Sequence, residues 1–276
     1  MSMLKNICAN YHKKIARNFR LISFPKSGRT WVRLFLNHYY FYKYPFSVTE
    51  RTNMKYYKSI PLVRYAHYGY SSATSKEIRK EIRKKLRKKL SRNELIFLIR
   101  DPRDVFVSYY YQLTKRADEA TQKHTEINWD TITMKELVYH EMYGIKRIID
   151  FMNKWYTEMT QSNRSFYLLQ YESLKKDPYK AFQNLLKFLD TNEINEQALE
   201  KAITETDFSK MKEAEKNGLY KLKQFDGSAR DDNSMKVRKG EVGGYVHYFD
   251  QKELHFMNEE MNNLIPELRD LFDIKS

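Results

Sequence analysis

The sequence predicts an α/β fold: a single domain over residues 1–276, with a central parallel sheet flanked by helices. Three observations predict it. Short apolar runs bounded by turn residues recur at 20–24, 95–99 and 166–170, and a segment of helical character follows each. Strands that alternate with helices argue for a parallel sheet. The length, 276 residues, suits one large domain or two small ones, and the lack of an internal repeat or of a long Pro/Gly/Ser linker favours one.

Residues 1–19 form an N-terminal lead. Arg20-Leu-Ile-Ser-Phe24 is a strand candidate stopped by Pro25. Thr30 to Phe41 follows with helical spacing, placing Trp31, Leu34, Phe35 and His38 on one side. Strand, tight polar turn, helix is the layout of a phosphate-binding βα unit. Pro61 to Ala66 reads as another strand. Thr74 to Leu90 reads as a helix: Thr74 can cap it with Glu77 as its capping-box partner, and Ile78, Ile82, Leu86 and Leu90 make one narrow apolar stripe. Leu95 to Ile99 is unbroken apolar sequence, suited to a strand buried on both faces. Arg100-Asp101-Pro102 breaks it, and a helix starts near Arg103. Phe166 to Gln170 is a further strand, ending in Tyr171-Glu172, and a helix from Tyr179 to Leu189 begins just after Pro178. Residues 217–245 hold five of the eight glycines and read as a long loop of the kind that covers a site.

The formal net charge is +15, which favours an anionic partner. Ser75 to Arg92, the basic amphipathic helix, carries ten basic and two acidic residues, more than half of that excess. Aromatic residues make up 15% of the chain. The single cysteine, Cys8, excludes an intramolecular disulfide. No apolar run approaches the roughly 18 residues of a membrane span, and the basic start has no apolar core of a signal peptide. The expectation is a cytoplasmic protein without a transmembrane segment.

Three constellations carry chemistry. In Phe24-Pro-Lys-Ser-Gly-Arg-Thr-Trp31, a turn between strand and helix can aim backbone N–H groups at an anion. Gly28 permits close approach, Lys26 adds a point charge, and Ser27 and Thr30 add hydroxyls. Trp31 adds a ring. The string lacks the Gly-Lys-Ser/Thr of a Walker A loop. In Ile99 to Tyr110, Arg100 lies at the carboxyl end of a buried strand, where open α/β sheets place ligands. Ser108 lies on the helix that follows, and both suit one phosphate. In Arg238-Lys-Gly-Glu-Val-Gly-Gly-Tyr245, a basic flexible loop holds Arg238, Lys239 and Gly240.

Together these strings resemble the sulfotransferases that use 3′-phosphoadenosine 5′-phosphosulfate (PAPS). Phe24 to Trp31 is similar to the family's 5′-phosphosulfate loop, Pro-Lys-Ser-Gly-Thr-Thr-Trp, with Arg29 in place of the first Thr and its backbone amide still available. Arg100 and Ser108 match the family's Arg and Ser eight residues apart, which hold the 3′-phosphate. Arg238 to Tyr245 resembles Arg-Lys-Gly-x-x-Gly-Asp-Trp, with Gly244 for the Asp and Tyr245 for the Trp. Tyr171 and Thr206-Asp-Phe208 resemble the adenine contacts, with Phe208 stacking on the base. The resemblance runs from residue 21 to about 249 and implies the P-loop-NTPase-like sulfotransferase fold. It further implies PAPS as sulfuryl donor, adenosine 3′,5′-bisphosphate as product, and no metal requirement.

Transfer needs a base for the acceptor proton, and His best matches neutral pH. Among seven His, His67 follows the Pro61–Ala66 strand and occupies the family's interval for its catalytic His. Many relatives carry a Lys two residues earlier. Here Tyr65 stands there, so that second cation is missing unless Arg64, one residue further back, replaces it. The roles implied are His67 as base, Lys26 on the bridging oxygen, and Ser27 and Thr30 with the loop amides on the 5′-phosphate. Arg100, Ser108, Arg238 and Gly240 take the 3′-phosphate.

Two other classes are weighed. A P-loop kinase or NTPase would need Gly-Lys-Ser/Thr and Mg²⁺. A basic nucleic-acid- or membrane-binding protein would use residues 75–92; nucleic acid is not expected, and anionic surface contact there is the open alternative to a solvated helix face. The Tyr-rich segments 39–70 and 116–143 lean toward a small ring-bearing or glycan acceptor with a hydroxyl or amine. The family's C-terminal dimerisation segment has no match in Tyr248 to Met261, so oligomeric state stays open.

Overall fold

The computed structural model describes residues 17–44, 60–67, 93–116, 126–162, 165–189, 193–218 and 233–273. The basic helix expected at 75–92 lies outside these residues. The chain divides into two compact units. One comprises residues 1–23, 28–98 and 162–206; the other comprises 24–27, 99–161 and 207–276.

The first unit contains the sheet. Strands β1 (Asn18–Ser23), β2 (Leu62–Ala66), β3 (Glu94–Ile99) and β4 (Phe166–Gln170) lie in the order β2-β1-β3-β4. β1 runs parallel to both neighbours, with Leu21 opposite Tyr65 on one side and Ile96 on the other. The fold is thus the expected α/β architecture. Leu95 to Ile99 is buried throughout, as a central strand covered on both faces requires. Helix α1 (Arg29–Lys43) leaves Gly28, whose φ of 99° is left-handed and costs a residue without a Cβ little. Val32, Phe35, Leu36 and Tyr39 recur at helical spacing and are buried. Helices α5 (Tyr171–Lys176), α6 (Pro178–Phe188) and α7 (Glu196–Glu205) complete the unit. Phe35 of α1 stacks on Phe182 of α6, both fully buried, and each ring so removed from water contributes about 1.5–3 kcal/mol. Tyr171, expected to close a strand, opens α5 instead.

The second unit is helical: α2 (Pro102–Lys115), α3 (Met134–Leu137), α4 (Ile145–Thr160), α8 (Phe208–Lys216), a 3₁₀ turn at Gly244–His247, α9 (Gln251–Met261) and α10 (Pro266–Arg269). Pro102 begins α2, and the Asp101 side chain caps it by accepting from the Arg103 N–H. Asp101 also holds the buried Arg103 guanidinium at 2.7 Å, and Arg103 reaches Asn258 and the Asp273 carbonyl. Among the described residues, no helix is long and apolar enough to cross a membrane.

Candidate active site

In the second unit, three sequence-distant motifs meet. Arg100 directly follows β3 and is 7% exposed. Its Nη2 donates to the Glu241 carbonyl at 2.7 Å and its Nη1 to the Lys26 carbonyl at 3.5 Å. Asp104, one turn along, lies 3.8 Å from the Arg100 guanidinium. It accepts from the Gly243 N–H at 2.8 Å and the Tyr245 N–H at 3.1 Å. Burial raises the Asp104 pKa, while Arg100 and the two N–H groups oppose the shift. Ser108 lies partly exposed on α2.

The 238–240 segment is anchored from two directions. Arg238 donates to the Tyr248 hydroxyl at 2.6 Å and lies 4.5 Å over the Tyr111 ring. Gly240 adopts φ +65°, and a Cβ there would meet the Phe208 ring at 2.4 Å. Phe208 and Gly240 are therefore in direct contact. The buried Glu215 carboxylate accepts from the backbone N–H of Lys236 at 2.7 Å and of Val237 at 2.8 Å. Lys239 is exposed, 5.2 Å from the Tyr248 ring.

Lys26 is the one described non-glycine residue with positive φ, at 72°, a conformation that concentrates at functional sites. Burial pushes its ammonium down to about 7, reinforced by the positive charges of Arg116, Lys236 and Arg100 and opposed by Glu215. A buried lysine among other cations is a feature that concentrates at functional sites. Ser27 beside it is 2% exposed.

The first unit holds the rest of the loop. Gly28 faces Tyr171, whose ring carbon lies 2.6 Å from where a Cβ would sit. Trp31 meets the Tyr171 ring edge-on at 5.9 Å. Arg29 and Thr30 open α1 and are partly exposed. His67, just past β2, has its Nδ1 2.8 Å from the Ser23 carbonyl. A carbonyl only accepts, so Nδ1 donates here, and in the neutral ring the lone pair then falls to Nε2. Thr206 is fully buried, and its hydroxyl donates to the Ala202 carbonyl at 2.7 Å as α7 ends. Arg64 is exposed on β2, whereas its neighbour Tyr65 turns toward Arg33, whose guanidinium lies 6.0 Å from the ring centroid.

Sequence reasoning missed Glu215, Arg116 and Lys236, which carry no motif: each matters through a partner distant in the chain. Asp104 was legible only as a salt-bridge partner for Arg100, and the structure adds its hold on the Gly243 and Tyr245 N–H groups.

A four-stranded sheet in the order β2-β1-β3-β4, with a strand-to-helix turn after β1 and an arginine directly after the central strand β3, defines an α/β protein. The chain belongs to the sulfotransferase family: the sulfotransferase domain matches residues 17–269. Curated relatives include mouse sulfotransferase 1B1, 30% identical over 158 residues, which are 56% of this chain and 48% of that one. Human sulfotransferase 2A1 is 26% identical over 159 residues, 58% of this chain and 52% of that one. The chain thus spans about half the length of the curated relatives it matches. The crystal structure of mouse sulfotransferase SULT7A1 complexed with PAP superposes with a TM-score of 0.60 at 20% identity, covering 90% of this chain and 83% of that one, a likeness of fold.

Proposed function

We propose that the chain is a PAPS-dependent sulfotransferase acting on a hydroxyl or amine of a small-molecule or glycan acceptor, with its two units serving as one sulfotransferase domain. The observation that carries the reading is the meeting of Arg100 with the Lys26 and Glu241 carbonyls, which draws residues of all three family-like strings together. The residues present fit the donor. Gly240 leaves bare backbone against Phe208, where a Cβ cannot enter. The depressed Lys26 lies among cations with a net excess of positive charge.

PAPS, when bound, supplies an activated sulfuryl group on its 5′-phosphate. Ser27, Thr30 and the loop amides, those of Gly28 and Arg29 among them, would hold that phosphate. Trp31 and Tyr171, whose rings meet edge-on, with Thr206 and Phe208, are the residues assigned to the adenine. Arg100, Ser108, Arg238, Lys239 and Gly240 hold the 3′-phosphate, which distinguishes the donor from ATP. The His67 Nε2 takes the acceptor proton, and the Ser23 carbonyl steadies the imidazolium that results. Lys26, in its protonated form, faces the charge that develops on the leaving oxygen. As in phosphoryl transfer, most of the catalysis is positioning and electrostatics.

Calorimetric titration tests the nucleotide site. Adenosine 3′,5′-bisphosphate binds in the micromolar range without a metal, and ATP binds weakly with or without Mg²⁺. A preference for Mg·ATP would return the kinase reading. Substituting Gly240 by Ala forces a left-handed residue and displaces the Phe208 ring, at a cost of about 1–3 kcal/mol. Bisphosphate affinity in that variant falls at least tenfold.

Lys26 makes a second, pH-dependent prediction. Its pKa of about 7 means that above neutrality the unliganded protein has largely lost this proton. An arriving phosphate favours the charged form and raises the pKa. Binding at about pH 8 therefore takes up a proton, and affinity declines as pH rises above 7. Titrations in buffers of different ionisation enthalpy read the uptake, and Lys26→Met abolishes it.

A further inference from the structure

Arg29 and Arg33 lie one turn apart at the start of α1, both partly exposed, in the first unit. Their placement works against stability three times over. Positive charge in the first turns of a helix opposes the macrodipole, and α1 has no acid in its first turn. Like charges at i and i+4 repel. Half-buried guanidiniums lose hydration that a partner would restore. Among the described residues neither has a carboxylate partner; Arg33 has the face of Tyr65 at 6.0 Å. Burial, and then Arg33, push Arg29 down to about 10, as expected for a cation with no anion at hand. Tyr65, whose ring centroid lies 6.0 Å from the Arg33 guanidinium, precedes His67 by two residues on the same stretch of chain, about 7 Å from Cα to Cα at strand spacing.

We infer that Arg29 and Arg33, over Tyr65, seat an anionic group of the acceptor, so that the preferred acceptor carries a carboxylate, phosphate or sulfate about one ring's length from its reacting hydroxyl. The inference rests on His67 as the acceptor base. A guanidinium fork binds such oxyanions two atoms at a time. The 5′-phosphate already has Lys26, Ser27 and the loop amides. An oxyanion between the arginines removes their repulsion and restores the lost hydration, while the Tyr65 ring fixes one wall.

The test uses protein saturated with adenosine 3′,5′-bisphosphate and two probes matched in size, 4-hydroxyphenylacetate and its primary amide. The intact protein binds the carboxylate at least tenfold more tightly than the amide. In Arg33→Gln the preference disappears, and Arg33→Lys keeps part of it, having charge without a fork. Bisphosphate affinity stays unchanged in both variants. Equal binding of the two probes by the intact protein, including binding of neither, overturns the inference. So does a preference that survives in Arg33→Gln. A loss of bisphosphate affinity in Arg33→Gln assigns the pair to the donor and overturns it equally. If the intact protein binds no bisphosphate at all, the donor reading fails instead, and the probes titrated alone then test the arginine pair.

Discussion

His67→Ala lowers turnover by roughly 10²- to 10⁴-fold, the range for loss of a positioned general base, while bisphosphate affinity is unchanged. The geometry sets both halves of this outcome. With Nδ1 on the Ser23 carbonyl, the imidazole is held in the tautomer whose Nε2 can accept a proton, and the ring cannot turn without giving up that bond. On the proposed reading, removing it takes the acceptor of the proton and nothing from the residues that would hold phosphate. Single-turnover rates in the presence of saturating donor measure the first effect and calorimetry the second. Turnover within a few-fold of the intact enzyme would remove His67 from the mechanism. A parallel loss of bisphosphate binding would mean that the substitution disturbs β1 and the loop it feeds.

Arg100→Gln weakens binding of adenosine 3′,5′-bisphosphate by roughly ten- to more than a hundredfold, since hydrogen bonds to a charged group contribute about 1.5–3 kcal/mol each. It leaves adenosine 5′-monophosphate, which has no 3′-phosphate, nearly unaffected. Arg100 holds the Lys26 and Glu241 carbonyls in one grip, and Gln lacks the reach and the fork to replace it. The contrast between the two nucleotides separates phosphate recognition from a general disturbance: a variant that loses both equally has lost loop structure, and one that loses neither places the 3′-phosphate elsewhere. Arg238→Gln, with its guanidinium stacked on Tyr111, shows the same contrast.

The strands were legible because each is a short apolar run closed by a breaker. Leu95 to Ile99, walled by Arg100-Asp101-Pro102, is buried to its last residue. The turn at 24–28 was legible as a strand-to-helix turn because Pro25 and Gly28 stand between an apolar run and a helical period. Helix α4 was not read from the sequence, although its apolar residues Ile145, Ile148, Ile149, Met152 and Trp155 repeat at helical spacing. Glu215 was not legible. Its role is to accept two N–H bonds from residues more than twenty positions later, and nothing in a local window distinguishes it from the glutamates around it. Arg116 and Lys236 are hidden likewise among fifty lysines and arginines. Their effect on Lys26 exists only once the chain has folded. Thr206 shows the limit of a motif: the family-like string is present, yet its hydroxyl serves the end of α7.

Asp104 keeps a carboxylate 3.8 Å from the Arg100 guanidinium while gripping the Gly243 and Tyr245 N–H groups. A phosphate that reaches Arg100 must share it with an acid already in place, so part of the arginine's field is spoken for before any nucleotide arrives. One carboxylate thus serves the arginine and the backbone of 243–245 together, so protonating Asp104 would loosen both at once.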